Sequence, residues 1–333
     1  FRGGPALFSY SAEDLQAAAA ASAPALAKPF FPEPLPLTAE EDTFWRRLDI
    51  ARLSAFFANP AKFIVRERLG ISLGRPPETD PDHEPFALSG IERFAVGNHL
   101  LEQRLKGCQP EQAFAALRAD GLLPHATAGE VEFRALWSEV ERFARRLDGL
   151  RPSEAPAELD ARWEIAGFSL AARIRGLSGN RWLRYRFGKL RAKDLLEIWL
   201  QHMALCLAAP ERADVESVFV CTDRTLRLKP VADSRAILGV LLEVYRRGLE
   251  RPLCFFPQTA LEYATTLRRS TPDRALGAAR NVWEGSDLHP GESADPYYRR
   301  CFEAIDPLGI DFAALSRQVF EPLLEHVGIE KAA

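Results

Sequence analysis

The chain has 333 residues, with 43 Lys and Arg against 46 Asp and Glu, a formal net charge of −3 and 47% hydrophobic residues. This composition is typical of a globular protein and excludes a largely disordered chain or a uniformly basic one. No run of about 18 apolar residues is present, so the sequence predicts no membrane-spanning helix and no membrane partner.

The first 40 residues are rich in Ala and Pro, with a run of alanines from Ala17 to Ala21 and four prolines between Pro29 and Pro36. This composition predicts a tether over residues 1–40, with one short helix after Ser11. Residues 41–333 are expected to form one folded domain. Because the chain begins with Phe and shows no signal peptide, we expect the tether to lead in from an upstream region of a longer chain.

Helical patterns dominate the next hundred residues. Thr38 and Glu41 have the spacing of a capping box, so ordered structure is expected to begin there. Apolar residues recur at helical spacing over 48–57 and 62–69, on either side of Asn59-Pro60. Residues 74–86 hold four prolines and predict a loop, and further helices are expected over 88–107, 110–120 and 129–149.

The pattern changes to short extended segments after about residue 161. One extended segment is expected from Trp163 to Leu177, followed by a turn at 178–180 and a second strand over 181–187, which together form a hairpin. Strict alternation in the second strand predicts two faces. One face carries Trp182, Arg184 and Arg186, and the other carries Leu183, Tyr185 and Phe187.

A buried helix with a stripe from Leu195 to Cys206 is expected after this hairpin. A second hairpin is expected from Ser217–Cys221 and Thr225–Leu228. The remaining helices are expected over 235–249, 259–269, 272–283, 296–304 and 311–325. The order of elements predicts an α/β fold, with a small mixed sheet flanked by many helices.

The five cysteines are scattered, odd in number and contain no C-x-x-C pair, and the six histidines form no H-x-x-x-H or H-E-x-x-H pattern. These spacings predict neither a disulfide framework nor a zinc or iron–sulfur site, so no metal and no cofactor is expected. A reducing cytoplasm is the compartment that this cysteine usage favours.

Positive charge is concentrated in residues 162–193, which hold nine Lys and Arg against one Glu. Guanidinium groups that alternate along a hairpin can bind phosphates, and interleaved rings can stack on bases. The DNA-binding candidates are Arg173, Arg175, Arg181, Trp182, Arg184, Arg186, Lys189 and Arg191. The alternative is a solvated sheet face in a chain that has 36 Arg and 7 Lys.

Common catalytic motifs are missing from the sequence. It contains no G-x-x-x-x-G-K-[ST] loop for nucleotide phosphates and no G-x-S-x-G nucleophile elbow. The paired acids at 40–42 and 80–82 fall in predicted loops and are interpreted as solvated.

Several segments, in the same order, resemble the C-terminal domain of the exodeoxyribonuclease V gamma chain family (RecC). They span roughly residues 30–325 and are individually short. The segments are Leu53–Ile71, Glu84–Arg93, Gly121–Ala126, Leu190–Leu196, Pro252–Pro257 and Asp295–Arg299.

This resemblance implies one subunit of a heterotrimeric, ATP-dependent helicase–nuclease that processes double-strand breaks for recombinational repair. It implies the alpha and beta subunits of exodeoxyribonuclease V and a DNA end or fork as partners. It also implies two degenerate helicase-like domains upstream. In the family, the C-terminal domain contributes to splitting the incoming duplex and docks against the partner subunits.

The same domain resembles the RecB-type nuclease fold, related to restriction endonucleases, in which acids hold Mg²⁺ and a D/E-x-K lysine assists the reaction. This resemblance places Leu170 at the position of the first acid, and Tyr185 and Phe187 at those of the second acid and the lysine. No D/E-x-K occurs anywhere in the chain, so a lost active site is expected. His99, on a helix that carries a histidine in active relatives, is interpreted as incidental. Asn59 replaces a cysteine of iron–sulfur relatives.

The sequence therefore predicts a non-catalytic domain that guides DNA and docks partner subunits. Two alternatives remain open. In the first, a migrated Mg²⁺-dependent nuclease site uses other acids, such as Asp194 or Asp223. In the second, the arginines pair with acids of a partner subunit and contact no DNA. The apolar tether and an acid-rich loop at 76–84 are further candidate partner-binding surfaces.

Overall fold

The computed structural model describes residues 29–74, 88–151, 155–209 and 215–331. Residues 1–28 of the predicted tether, with its short helix after Ser11, lie outside the described residues, as does the acid-rich loop at 76–84. In the described ranges, no helix is both long enough and apolar enough to cross a membrane.

The helices of the first half lie close to their predicted positions. Thr38 forms the predicted capping box: its hydroxyl accepts from the amide of Glu41, and the Glu41 carboxylate accepts from the amide of Thr38. Asn59 ends one helix and caps the next, because its side chain accepts from the amide of Lys62. These helices are α1 (Ala39–Trp45), α2 (Ile50–Ala58), α3 (Pro60–Phe63, continued by a π-helical turn over Ile64–Arg68), α4 (Gly90–Leu105), α5 (Pro110–Ala119) and α6 (Ala126–Asp148).

In the described parts of the chain, seven strands form one mixed sheet. They are β1 (Arg47–Asp49), β2 (Ala157–Ile165), β3 (Phe168–Ser178), β4 (Arg181–Tyr185), β5 (Glu216–Val220), β6 (Arg224–Leu228) and β7 (Val327–Lys331). Strand β3 pairs with β2 along one edge, while β1 and β4 share its other edge. Beyond β4 the order continues β5–β6–β7, with β4 and β5 parallel and the last two pairs antiparallel. The predicted mixed α/β architecture is confirmed.

The two predicted hairpins are present, but the sequence analysis missed a third. The segment from Trp163 to Leu177 is two strands, β2 and β3, because the chain reverses at Ala166 and Gly167, which have φ of 48° and 77°. Two successive residues at positive φ make the tight reversal that a two-residue hairpin needs. The sequence pattern did not predict this turn, because Ala166 stands where such turns usually have Asn, Asp or Gly. The short edge strands β1 and β7 were also not predicted.

The C-terminal half confirms the predicted helices. Helix α7 crosses from β4 to β5, and the others follow β6 and pack on one face of the sheet. These helices are α7 (Ala192–Ala208), α8 (Ser234–Glu250), α9 (Pro257–Leu267), α10 (Pro272–Glu284), α11 (Pro296–Phe302) and α12 (Ile310–His326), with a 3₁₀ turn at Glu292–Ala294.

Both faces of the central strands are buried. On β5, Phe219 faces a large core shared with α2, α7 and α8, while Val218 and Val220 face a smaller core built by α4, α5 and α6. The outer strands β2 and β3 bury only the first of these faces. The sheet is therefore covered on both sides at β4 and β5 and leaves one side of β2 and β3 to solvent.

Candidate nucleic-acid interface

The β3–β4 hairpin carries most of the predicted DNA-binding residues. The two strands pair at Leu177 with Trp182 and at Ser178 with Arg181, and Gly179 at positive φ closes the turn. The alternation predicted for β4 is observed, because Trp182 faces the larger core while Leu183 packs against the smaller one.

The prediction that Trp182 stacks on a base is wrong. Its side chain is 1% exposed, and its indole Nε1 donates to the carbonyl oxygen of Arg175 at 3.0 Å. The large core covers this face of β4 at its beginning, so the ring anchors the hairpin. Arg184, two residues further along the same face, is exposed, and its guanidinium lies 5.8 Å from the Trp182 ring.

Arg173 and Arg175 lie on the solvent-facing side of β3. Both form ion pairs with Glu158 of β2, in the case of Arg175 at 3.3 Å. The hydrogen bonds from Arg173 and then from Arg175 lower the pKa of the Glu158 carboxyl. Antiparallel pairing places Glu158 opposite Arg175 and Asp160 opposite Arg173, so the strand register supplies an acid for each arginine.

Arg181 is also paired within the sheet. Its Nε lies 2.9 Å from a carboxylate oxygen of Glu216, the residue opposite it on β5. Glu216 also binds Arg227 of β6 at 3.0 Å. Three of the predicted DNA-binding arginines therefore have acidic partners that lie on neighbouring strands.

Arg186 and Arg191 hold the connection between β4 and α7. Both form ion pairs with Asp194, which is mostly buried; Arg191 binds both of its carboxylate oxygens at 3.0 Å. Arg186 also donates to the carbonyl oxygen of Lys189 at 3.2 Å, and its guanidinium stacks on the Phe94 ring at 4.8 Å. The side chain of Arg186 is only 16% exposed, so its main role is to fix this loop.

Arg184 and Lys189 differ from the other candidates. Both side chains are exposed, and neither has a carboxylate within ion-pair distance in the described parts of the chain. They flank the point where β4 leaves the sheet. We call residues 184–189 the β4 end.

The nuclease-like positions are occupied by apolar packing. Phe187 is 6% exposed and packs edge-on against Phe143 of α6, with ring centroids 5.4 Å apart. Its ring lies directly on Gly97 of α4, where a Cβ would come within 2.6 Å of two ring carbons. Leu170 is fully buried in the larger core, on a strand that pairs with β4 only at its far end. Tyr185 is 41% exposed.

The acids proposed for a migrated site have other partners. Asp194 is held by Arg186 and Arg191, and Asp223 accepts from the amide of Leu190 at 2.9 Å and pairs with Arg224 at 3.5 Å. Across the residues that the structure describes, no three His, Cys, Asp or Glu side chains come together as a metal site would require. His99 is exposed on α4. The expected absence of metal and cofactor stays a prediction.

The structure brings together a second basic group that the sequence analysis missed. Lys62 and Arg66 of α3 and its continuation, together with Arg52 of α2, face Arg191 and Lys193 at the start of α7 across a cleft of about 700 Å³. We call this the basic cleft. Some 130 residues separate its two sides in sequence, so charge counting along the chain could not join them. The available signals were separate: Lys62 and Arg66 lie within the segment Leu53–Ile71, and Arg191 and Lys193 lie within Leu190–Leu196.

Comparison with known proteins gives a consistent result. The family model described as the RecC C-terminal domain matches residues 45–268. The protein "RecBCD enzyme subunit RecC" of Escherichia coli K12 is 28% identical over 315 residues, which cover 90% of this chain and 27% of that protein. The subunit of the same name in Mycolicibacterium smegmatis is 27% identical over 267 residues, covering 77% of this chain and 24% of that protein. The Haemophilus influenzae subunit is 23% identical over 269 residues. The chain thus spans about a quarter of the length of these relatives.

Proposed function

Because the chain belongs to the RecC C-terminal domain family, we propose that it guides DNA and docks partner subunits without cutting DNA. The whole assembly would be a RecBCD-type helicase–nuclease, also called exodeoxyribonuclease V, that processes double-strand breaks for recombinational repair. In this proposal, the partner chains supply ATP hydrolysis and cleavage. Its compartment would be the cytoplasm, and residues 1–40 would connect this domain to an upstream region.

One observation carries this proposal, and it lies within the β4 end. Phe187 fills the position that the nuclease resemblance gives to the catalytic lysine, while Arg184 and Lys189 on either side of it are exposed and unpaired among the described residues. A buried phenyl ring cannot polarise a phosphate or a water. Exposed cations that no neighbouring acid neutralises can bind phosphates. The β4 end therefore suits contact with DNA and is poorly suited to cleavage.

The other predicted residues take different parts in this proposal. Three arginines remain candidate DNA contacts, although each would have to release its carboxylate partner to bind a phosphate. They are Arg173, Arg175 and Arg181. Arg186 and Arg191 shape the loop that presents Lys189. Trp182 is assigned no contact with DNA, because its ring is buried.

The test is fluorescence anisotropy of a labelled forked DNA titrated with the chain at low and at physiological salt, with Mg²⁺ present. We expect binding that weakens with salt, because it depends on counterion release. The variant Arg184→Glu/Lys189→Glu should bind at least about tenfold more weakly, as two phosphate contacts become repulsive. The matched control is Arg134→Glu/Arg317→Glu, which makes the same charge change at two exposed arginines of α6 and α12.

Each alternative has its own outcome in this experiment. Negligible, salt-insensitive binding by the wild-type chain would favour a pure docking scaffold. Shortened DNA on a gel afterwards, lost on Asp223→Ala or Asp194→Asn, would establish a migrated nuclease site. Equal weakening in the control and the β4-end variant would remove the assignment of DNA contact to Arg184 and Lys189.

A further inference from the structure

The basic cleft lies between two layers of helices, at the beginning of α7. Its walls come from α2 and α3 on one side, and from the start of α7, the start of α9 and the 3₁₀ turn before α11 on the other. The cleft of about 700 Å³ falls in the size range of pockets that enclose small ligands. This volume could hold one or two nucleotides and is much smaller than a segment of duplex.

Three acids line the cleft among the described residues: Glu67, which approaches Arg66, and Glu292 and Asp295, which accept hydrogen bonds from backbone amides. Glu292 is half-buried, and its two carboxylate oxygens accept from the amides of Gln258 and Thr259 at 3.1 and 2.7 Å, at the start of α9. Asp295 caps α11 by accepting from the amides of Tyr297 and Tyr298. Glu292 and Asp295 thus each accept two hydrogen bonds from backbone amides.

The cations of the cleft are less well matched. In the described parts of the chain, no carboxylate lies within ion-pair distance of Lys62 or Lys193. Arg66 approaches only Glu67, at 3.8 Å, and the Arg52 guanidinium lies over the Trp45 ring at 4.4 Å. Arg191 is paired with Asp194 at 3.0 Å, so Lys62 and Lys193 are the cations that face this volume without a carboxylate at ion-pair distance in the described parts of the chain.

The pKa of Lys193 reflects its partial burial and the positive charges around it. Partial burial lowers the pKa of its ammonium group most, Arg191 lowers it next, and Arg186 and Lys62 lower it further, while Asp194 opposes them. The cations around Lys193 disfavour its charged form, and a bound anion would offset their repulsion. The geometry and the charge both indicate an anionic ligand.

A neighbouring cleft suggests that this anion is part of a chain. Gln258 lines the basic cleft and also a second cleft of about 630 Å³, which contains the exposed Arg269 and Arg224. The side-chain oxygen of Gln258 accepts from the amide of Ala192 at 3.2 Å, so one hydrogen-bonded ridge separates the two clefts. A polymer with regularly spaced phosphates could cross this ridge and occupy both, whereas a free phosphate would fill a fraction of one.

We infer that the basic cleft binds the phosphates of a single DNA strand, with Lys62 and Lys193 as its main contacts. This inference rests on the proposed function and deepens it, because it separates a single-strand site from the contacts made by the β4 end. Basic grooves that follow a strand's backbone are a common mode of sequence-independent single-strand binding.

The test uses a labelled oligothymidylate of about 12 nucleotides, a length typical of such sites, and a duplex of the same length. We compare the wild-type chain with Lys62→Gln/Lys193→Gln. Loss of two phosphate contacts should weaken oligothymidylate binding about tenfold or more and reduce the salt slope by about 1.4, at about 0.7 per contact. Lys62→Arg/Lys193→Arg should retain affinity within about threefold, because it preserves both charges. Arg134→Gln/Arg317→Gln controls for net charge, and thermal unfolding checks that each variant folds.

Three results would overturn this inference. The first is an unchanged affinity for the strand in the Lys62→Gln/Lys193→Gln variant. The second is equal binding of the duplex and the strand. The third is competition by inorganic phosphate or a glutamate peptide as strong, per charge, as by unlabelled strand. If forked DNA still binds and still depends on Arg184 and Lys189, the proposed function stands while the single-strand site fails. If no DNA binds, both fail.

Discussion

Strand β3 and the β4 end both carry arginines, but their charges have different environments. On β2 and β3, Arg173 and Arg175 face solvent and share Glu158. At the β4 end, Arg184 and Lys189 are exposed with no carboxylate near them among the described residues, and Phe187 between them is buried. One basic stretch of sequence thus contains arginines that are paired with an acid on the neighbouring strand and two exposed cations, Arg184 and Lys189, that have no carboxylate at ion-pair distance among the described residues.

Strand register, rather than charge density, decides which cations remain available to a ligand. Antiparallel pairing places the acids of β2 opposite the arginines of β3. The β4 end has no such neighbour, because β4 leaves the sheet as soon as Tyr185 has paired with Val220 on β5. Exposed ion pairs contribute little to stability, but they reduce the charge available to a ligand.

The largest expected effect concerns the anchor of the β4 end. Phe187→Ala should lower the free energy of unfolding by about 4 kcal/mol, because it removes a buried aromatic ring and leaves a cavity against Gly97 and Phe143. Urea denaturation followed by tryptophan fluorescence measures the change. The control is Phe94→Ala, whose ring is 39% exposed, and we expect about 1 kcal/mol there.

A loss of unfolding free energy in Phe187→Ala no larger than that in Phe94→Ala would contradict the role of Phe187 as the anchor of the β4 end. The ring would then be replaceable, and the β4 end would be held by the Arg186–Asp194 ion pair alone. A loss confined to Phe187→Ala, with Phe187→Leu retaining most of the stability, would establish that apolar volume fixes this position.

The buried core and the outer strands should lose stability in different pH ranges. His202 is fully buried: its Nε2 donates to the carbonyl oxygen of Lys229 at 2.8 Å, and its Nδ1 accepts from the Ser217 hydroxyl at 2.7 Å. Burial lowers its pKa from 6.5 to about 4, and nearby His326 adds to this, against the Lys229 hydrogen bond. Between pH 6.5 and 4, His202 is protonated in the unfolded chain but neutral in the folded chain. The free energy of unfolding therefore falls as the pH drops from 6.5 towards 4.

At pH 5 this linkage should cost on the order of 2 kcal/mol relative to pH 7.5, measured by urea denaturation at both values. The ion pair of Glu158 contributes in a lower range, because its lowered pKa means that its stabilisation is lost only below about pH 4.5. His202→Gln should flatten the profile between pH 7.5 and 5, and His99→Gln, on the surface, should not. A profile unchanged by His202→Gln would mean that another group titrates there.

The smallest change that we expect is in DNA binding when Glu158, the acid shared by Arg173 and Arg175, is neutralised. Glu158→Gln should strengthen binding of forked DNA by about twofold at low salt, since it releases Arg173 and Arg175 from their shared acid. Glu164→Gln is the matched control, because it makes the same charge change on the same strand, at an exposed residue that lies opposite Ser169. Anisotropy titrations of both variants measure the difference. Equal gains would show that only net charge matters and that the pairing on β2 and β3 has no influence.

The helices and two of the three hairpins could be predicted because their signals are local. A capping box at Thr38 and Glu41, the Asn59-Pro60 break and the turn at residues 178–180 each act within a few residues. The Ala166–Gly167 reversal was missed because alanine rarely takes positive φ, and only the pairing of β2 with β3 holds it there.

Three features follow from the amino-acid sequence alone: the helix positions, the absence of a D/E-x-K motif and the concentration of arginine after residue 161. The tertiary structure alone decided which of these arginines are paired, that Trp182 is buried, that Phe187 rests on Gly97, and that Lys62 faces Lys193 across one cleft. The reason is physical: helix caps and turns depend on neighbours in sequence, whereas burial and charge pairing depend on strand register and on packing between distant segments.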